Sequence, residues 1–173
     1  ISFWKSFDLP VTILRPFNTY GPRQSTRAII PTIISQIYSG SKQIKLGALN
    51  PTRDFNYVYD TCEAFVQVAA SENTIGKIIN SASNFEISIG ETADLIAKIM
   101  NKEITIISED KRIRPKNSEV SRLFGDNTKL KKFTNWHPKF SGKDGFKKGL
   151  ELTINWFCQK ENLSNYNFKK YLV

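Results

Sequence analysis

Val11-Thr12-Ile13-Leu14-Arg15-Pro16-Phe17-Asn18-Thr19-Tyr20-Gly21-Pro22-Arg23-Gln24 is the stretch around which the chain is organised. Val11 to Leu14 are apolar or β-branched without alternation. That pattern predicts a strand buried on both faces, as in a parallel sheet. Pro16 cannot donate to a central ladder. Asn18, Tyr20, Gly21, Pro22 and Arg23 mix turn-formers with polar side chains. A buried parallel strand that empties into a polar, Gly/Pro-containing loop is where open α/β sheets place their ligands, beyond the carboxyl ends of the strands. The same pattern also describes an ordinary strand-to-loop junction.

Outward from that stretch, the chain has 173 residues, of which 40% are hydrophobic and 24% charged. It can bury a real core, as one domain or slightly more. No apolar run reaches the length of a bilayer span. The first residues, Ile1-Ser2-Phe3-Trp4-Lys5, carry neither an initiator Met nor a basic-then-apolar leader, and read as the start of a fragment. Cys62 and Cys158 match no metal or redox spacing, so two free thiols in a reducing cytosol are expected. With His137 as the single histidine, a Ser-His-Asp triad or a histidine-rich metal site is disfavoured, and no metal is expected. The net charge of +9 points to an anionic partner. The basic residues cluster in 111–132 and 139–148 without a nucleic-acid module signature. Several arginines sit beside turn residues rather than in a helical stripe, which favours an anionic small molecule over DNA.

Hydrophobic spacing supplies the remaining elements. Ile1 to Phe7 reads as the end of a helix, with Phe3, Trp4 and Phe7 assigned to the core. A helix with Pro31 in its first turn carries Ile33, Ile34, Ile37 and Tyr38 on one stripe. Ile44 to Leu46 and Asp54 to Val58 read as strands. Asp60 is placed as a helix cap, with Glu63 completing a capping box, and Ala64, Phe65 and Val68 face that helix's core. Lys77 to Ser81 is a strand with Asn80 at its polar end. Ser88 and Glu91 form a second capping box, ahead of a helix that buries Leu95, Ile96, Ile99 and Met100. Glu103 to Ile107 alternates as a half-buried strand. Asp110 to Arg122 is a long basic segment, and Asp126 caps a short helix. The last helix, from about Asp144 to Cys158, presents Phe146, Leu150, Ile154 and Phe157 on one stripe.

Arg15-Pro16-Phe17-Asn18-Thr19-Tyr20-Gly21-Pro22-Arg23-Gln24 closely resembles the R-P/Y-F-N-x-Y-G-P-x-Q block of the extended short-chain dehydrogenase/reductases, the NAD-dependent nucleotide-sugar epimerases and dehydratases. Arg53-Asp54-Phe55-Asn56-Tyr57-Val58-Tyr59-Asp60 and Arg112-Ile113-Arg114-Pro115-Lys116-Asn117-Ser118-Glu119-Val120 supply two further blocks in the family's order. The likeness runs to about Trp156 and covers the family's C-terminal half. It implies an α/β fold: the C-terminal part of a Rossmann-type parallel sheet plus a smaller mixed α/β substrate-binding domain. On that reading residues 1–82 end the NAD-binding domain, with an inserted substrate-domain segment at about 21–52. Residues 83–160 form the substrate-binding domain and 161–173 a tail.

The resemblance also assigns roles. The Asn18 position orients the nucleotide-sugar diphosphate or sugar, and Pro16 and Phe17 line the nicotinamide side of NAD. An amide offers donor and acceptor together, although Asn18 could equally satisfy its own turn. Arg53 and Arg114 are expected on the substrate diphosphate, where a guanidinium forks onto two oxygens. Glu119 is expected on ribose hydroxyls, and Asn80 joins the substrate set. Asp54 is expected to be structural. Lys116 and Asn117 lengthen the usual R-P-x-D/E-V spacing, and the longer form looks like the legionaminic-acid pathway 4,6-dehydratases. The family's Tyr-x-x-x-Lys pair, its glycine-rich NAD cradle and the dehydratases' Asp-Glu pair would all lie upstream, so no catalytic residue is assigned within the chain. The resemblance thus implies the substrate half of an NAD-dependent nucleoside-diphosphate-sugar 4,6-dehydratase, inactive by itself. The parent enzyme would be cytoplasmic and homodimeric through the N-terminal helix, without nucleic-acid or membrane partners. A 4-epimerase shares every block quoted, and a non-catalytic sugar-nucleotide-binding module is the alternative of another class.

Overall fold

The computed structural model describes residues 1–112, Ser118 and 120–163. The chain divides into two compact units. The first comprises Ile1–Thr19, Asp54–Glu86 and Phe124–Phe146. The second comprises Tyr20–Arg53, Ile87–Leu123 and the described residues from Lys147 onward. The expected insertion at about 21–52 falls within the second unit. Residues 124–146, expected with the substrate domain, group with the first unit instead. Side chains of Asp54 and Asp60 bond them there, as described below.

In the first unit, β1 (Ile13–Pro16) pairs in parallel with β5 (Ile78–Ser81), setting Leu14 opposite Ile79, Arg15 opposite Asn80 and Pro16 opposite Ser81. Side chains alternate across a strand, so Leu14 and Ile79 share a face. There they pack with Ala64 and Val68 of α3 (Val58–Ala69), with Leu130 and Phe133 of α5 (Thr128–Phe133), and with Trp136. Each fully buried aliphatic side chain of this kind contributes about 1.5–3 kcal/mol. The strand expected from Val11 to Leu14 is therefore parallel, but it is not buried on both faces. Ile13 and Leu14 are half-buried, and Arg15 and Pro16 are exposed. Among the described residues this sheet has two strands, so β1 is an edge and can end in a proline.

Other expectations for this unit change in the same direction. In α1 (Ser2–Phe7), Trp4 lies against Gly76, but Phe3 and Phe7 are 61% and 70% exposed, with their ring centroids 6.0 Å apart one turn along the helix. Gly76 has φ +74, and a Cβ there would come within 2.7 Å of the Trp4 indole. Phe65 is 52% exposed, whereas its neighbour Ala64 is fully buried; one residue is a rotation of about 100° around a helix. Asp60 is not the cap of α3, a position held by Tyr57. The Asp60 carboxylate is buried and accepts the N–H groups of Lys139 and Phe140, both at 2.9 Å. Its carbonyl accepts Trp136 Nε1 at 2.8 Å. Asn127 occupies the cap position of α5, and Asp126 accepts Thr128 N at 2.9 Å from just outside it.

In the second unit, α2 (Ile29–Tyr38) buries Ile30, Ile33, Ile34 and Ile37. Tyr38, expected on that stripe, is exposed. α2 packs on α4 (Ile89–Ile99), which buries Ile89, Ala93, Ile96 and Ala97. Leu95, Ile99 and Met100 are only half-buried. The Ser88–Glu91 capping box, at the end of β6 (Glu86–Ser88), forms as read: Glu91 N donates to Ser88 Oγ at 3.1 Å and Ser88 N to Glu91 Oε2 at 3.0 Å. β3 (Gln43–Leu46) pairs in parallel with β7 (Thr105–Ser108). Gln36 fixes β3 to α2: its Oε1 accepts Lys45 N at 2.8 Å, and its Nε2 donates to Lys45 O at 3.1 Å. β4 (Thr52–Tyr57) passes from the second unit to the first between Arg53 and Asp54. Its second-unit end pairs in parallel with β8 (Arg122–Leu123). The long helix α6 (Gly142–Phe157), whose first residues through Phe146 belong to the first unit, buries Phe146, Leu150, Ile154 and Phe157, the stripe read from sequence.

Candidate functional site

The parallel register of β1 and β5 brings their carboxyl ends together, and four of the expected site residues lie there. Arg15 Nε donates to Asn80 Oδ1 at 3.0 Å, and Asn80 Nδ2 donates to the Asp126 carbonyl at 3.3 Å. Both ends of the Asn80 carboxamide are thus engaged within the protein. Phe17 N donates to Ser81 O at 2.9 Å, carrying the strand pairing one residue past Pro16. The Phe17 ring lies over Gly125. A Cβ at that position would meet Phe17 at 3.0 Å and overlap the Cβ of Ala82. Asn18 comes next, half-buried at the start of β2 (Asn18–Tyr20). Its carboxamide has no hydrogen-bond partner among the described residues. The end of the pair therefore offers an aromatic wall, an exposed proline ring and one unengaged amide.

Asp54 holds the floor of this region. It is fully buried, and its carboxylate accepts Ser83 N at 2.8 Å, Ser83 Oγ at 2.7 Å, Asn84 N at 3.1 Å and Gly125 N at 3.2 Å. Burial pushes its carboxyl above the ordinary value of 3.8, while the bonds from Ser83, Gly125 and Asn84 pull it back. Asn84 adopts φ 58, so the turn after β5 runs through a left-handed residue. Asn127 closes the arrangement, donating from Nδ2 to Ala82 O at 2.8 Å and from N to Asn84 Oδ1 at 3.1 Å. Asp54 is the structural residue expected. No sequence spacing ties Ser83, Asn84, Gly125 or Asn127 to Asp54, so the pattern of residues alone does not reveal them.

Arg53 belongs to the second unit. Its Nη1 donates to Val120 O at 2.6 Å and to Thr52 O at 2.9 Å. The guanidinium thereby grips the main chain at the end of the third sequence block. Arg114 and Glu119, the other two members expected from that block, lie outside the described residues. Among the described residues, no group of three His, Cys, Asp or Glu side chains could hold a metal, and no helix is long and apolar enough to cross a membrane. Cys62 is exposed and Cys158 half-buried, both as free thiols.

The family model described as GDP-mannose 4,6 dehydratase matches residues 1–149. A UDP-N-acetyl-alpha-D-glucosaminuronate decarboxylase of Bacillus cytotoxicus is 36% identical over 89% of this chain and 48% of its own length. The dTDP-D-glucose 4,6-dehydratase of Bos taurus is 33% identical over 95% of this chain and 45% of its own. Among solved structures, the UDP-glucuronic acid 4-epimerase of Bacillus cereus in complex with UDP-glucuronic acid and NAD superposes with a TM-score of 0.79 at 26% identity, over 95% of this chain and 49% of that one. The NAD complex of dTDP-glucose 4,6-dehydratase from Bacillus anthracis gives 0.77 at 26% identity, over 92% and 48%. The chain spans about half the length of the curated relatives it matches.

Proposed function

We propose, for a chain that belongs to the GDP-mannose 4,6-dehydratase family of nucleotide-sugar dehydratases and epimerases, that it is the substrate-binding half of an NAD-dependent nucleoside-diphosphate-sugar 4,6-dehydratase. One observation carries the site: Asn18 is half-buried at the carboxyl end of a parallel strand pair with its carboxamide unengaged. A sugar hydroxyl or phosphate oxygen can use both its donor and its acceptor. The residues present suit the nicotinamide end of NAD. Phe17, seated on Gly125, gives a flat apolar wall, and Pro16 leaves it accessible. NAD supplies reversible hydride acceptance when bound. This chain's residues bind and orient: Asn18 and Asn80 at the sugar end, Arg114 on the diphosphate, Glu119 on the ribose. Arg53, whose Nη1 donates to the Val120 carbonyl, joins Arg114 on the diphosphate.

On this reading the first unit ends the NAD-binding domain and the second belongs to the substrate domain. The lengthened spacing from Arg114 to Glu119 supports a dehydratase of the legionaminic-acid type. Phe3 and Phe7, exposed on α1, are suited to a homodimer contact, and the free thiols suit a cytoplasmic enzyme. A 4-epimerase is the second reading, supported by the superposition on the Bacillus cereus enzyme. The test uses the protein at its natural length with UDP- and dTDP-linked hexoses. A product lighter by one water identifies a dehydratase, and an isomer of unchanged mass identifies an epimerase. Turnover of neither, together with no binding, overturns the proposal.

A further inference from the structure

Behind Phe17 and Asn18, one amide and two hydroxyls form a chain of hydrogen bonds inside the first unit. Asn56 of β4 is fully buried and donates from Nδ2 to Thr61 Oγ1 at 2.9 Å and to Ser81 Oγ at 3.0 Å. Thr61 Oγ1 lies 3.1 Å from Thr19 Oγ1. Thr19 Oγ1 donates to the Phe17 carbonyl at 3.1 Å. A hydroxyl carries one proton. That of Thr19 points at Phe17, so Thr61 must be the donor in its contact with Thr19. The Thr61 oxygen in turn receives the Asn56 amide proton. Every link points the same way: from Asn56 through Thr61 and Thr19 to the carbonyl of Phe17.

Asn56 is an unfavourable residue for a core position. Its Oδ1 is buried without a hydrogen-bond partner among the described residues, and an unmatched buried acceptor opposes stability. An apolar side chain would fill the position without that penalty. It could not orient the two hydroxyls. The amide also reaches both backbone groups of the same residue, because Ser81, its other acceptor, receives Phe17 N on its own carbonyl. We propose that Asn56 is a positioning residue, which through Thr61 and Thr19 to the Phe17 carbonyl, and through Ser81 to the Phe17 N–H, fixes the backbone of Phe17 that leads into Asn18 for the ligand. The inference rests on the reading of Asn18 and Phe17 as site residues.

Three variants test it in the protein at its natural length. Asn56→Asp keeps the shape but replaces the donor with an acceptor, so Thr61 must turn its proton inward and the chain to Phe17 breaks. Thr61→Val removes the middle link, and Thr61→Ser restores it. Two readouts are needed: amide hydrogen exchange of peptides spanning residues 13–20, and affinity for UDP-glucose and dTDP-glucose, with Asn18→Ala as the reference. We expect faster exchange in Asn56→Asp and Thr61→Val, and affinity lower by about fivefold, the scale of one hydrogen bond. Thr61→Ser should match the parent in both. Unchanged exchange in the two disrupting variants overturns the proposal. So does faster exchange with intact affinity when Asn18→Ala weakens binding, since the network is then only structural. If Asn18→Ala also leaves affinity intact, the site reading fails and the proposal falls with it. Should Thr61→Val not fold, Asn56→Asp and Thr19→Val decide the same question.

Discussion

The two units bury different things. Among the described residues of the first, Asp54, Asn56, Asp60, Thr61, Thr74, Ser81, Ser83 and Asn127 are all buried polar side chains. Most of them bond across elements: Asp54 to Ser83 and Gly125, Asp60 to Lys139 and Phe140, Asn127 to Ala82. Among the described residues of the second unit the buried polar ones are Thr92 and Thr153, and each hydroxyl bonds a carbonyl one turn back in its own helix region, at 2.7 Å. The rest of its buried hydrophobic core is isoleucine, leucine, alanine, Phe157 and Tyr20. Apolar contacts are non-directional. They make a body stable without fixing any loop to a fraction of an ångström. Buried hydrogen bonds fix geometry, and each becomes a penalty if a partner is lost. The difference places the demand for precision in the first unit, where Phe17 and Asn18 sit.

The largest expected effect is at Asp54. Asp54→Ala leaves two backbone N–H groups and the Ser83 pair buried without their acceptor, and should cost about 3–5 kcal/mol. Urea unfolding of the protein at its natural length measures it. A loss below about 1 kcal/mol would mean that water replaces the carboxylate and that the first unit is less dependent on polar bonds than argued.

Ile34→Ala in the second unit should cost about 2–5 kcal/mol, since Ile34 is fully buried in α2. Ligand affinity measured by calorimetry should stay unchanged where the fold persists. A matching loss of affinity would break the division between buried hydrogen bonds that position the first unit's site residues and apolar packing that only stabilises. Gly125→Ala sharpens the same division from the other side. The new Cβ overlaps Ala82 and presses on Phe17, so about 1–3 kcal/mol of overpacking should come with a measurable loss of affinity for a nucleotide sugar in calorimetry. Thr153→Val should be nearly silent, within about 0.5 kcal/mol in thermal unfolding, because its hydroxyl serves only its own helix.

How much of this was legible in the sequence depended on whether the determining partner is close along the chain. The Ser88–Glu91 capping box formed because both partners lie three residues apart, within the reach of a local pattern. The same pattern at Asp60 and Glu63 misled. Lys139 and Phe140 claim the Asp60 carboxylate from 79 and 80 residues away, and nothing local announces them. Periodicity found the α6 stripe and the Ala64 and Val68 face, but it also assigned Phe3, Phe7 and Phe65 to the core. Spacing reports which residues share a face, not whether anything covers it. The three sequence blocks located the strand ends and the family. Asn56 passed unremarked inside the second block, because its meaning lies in the hydroxyls of Thr19, Thr61 and Ser81.

The smallest expected effect is electrostatic, and it sets the two units against each other in pH. In the second unit, Glu109 bonds Arg112 Nε at 2.6 Å and lies 3.6 Å from Lys45 Nζ. The Arg112 bond first, then the two cations, holds its carboxyl below the ordinary 4.5. A depressed carboxyl contributes stability that is fully present above the unfolded value and is lost as pH falls through the folded one. In the first unit, burial raises the carboxyls of Asp54 and Asp60 above 3.8. Their contribution runs the other way: present below 3.8 and lost as pH rises through their folded values. Glu109→Gln should therefore flatten the acid limb of a stability–pH curve slightly, since an exposed pair is screened by solvent. Asp54→Asn should remove part of the opposing slope at higher pH. Carbon-detected titration of the carboxyls in the folded protein reads both directly. Should Glu109 titrate at or above 4.5, its pairing contributes nothing to the second unit, and that unit's stability rests on apolar packing alone.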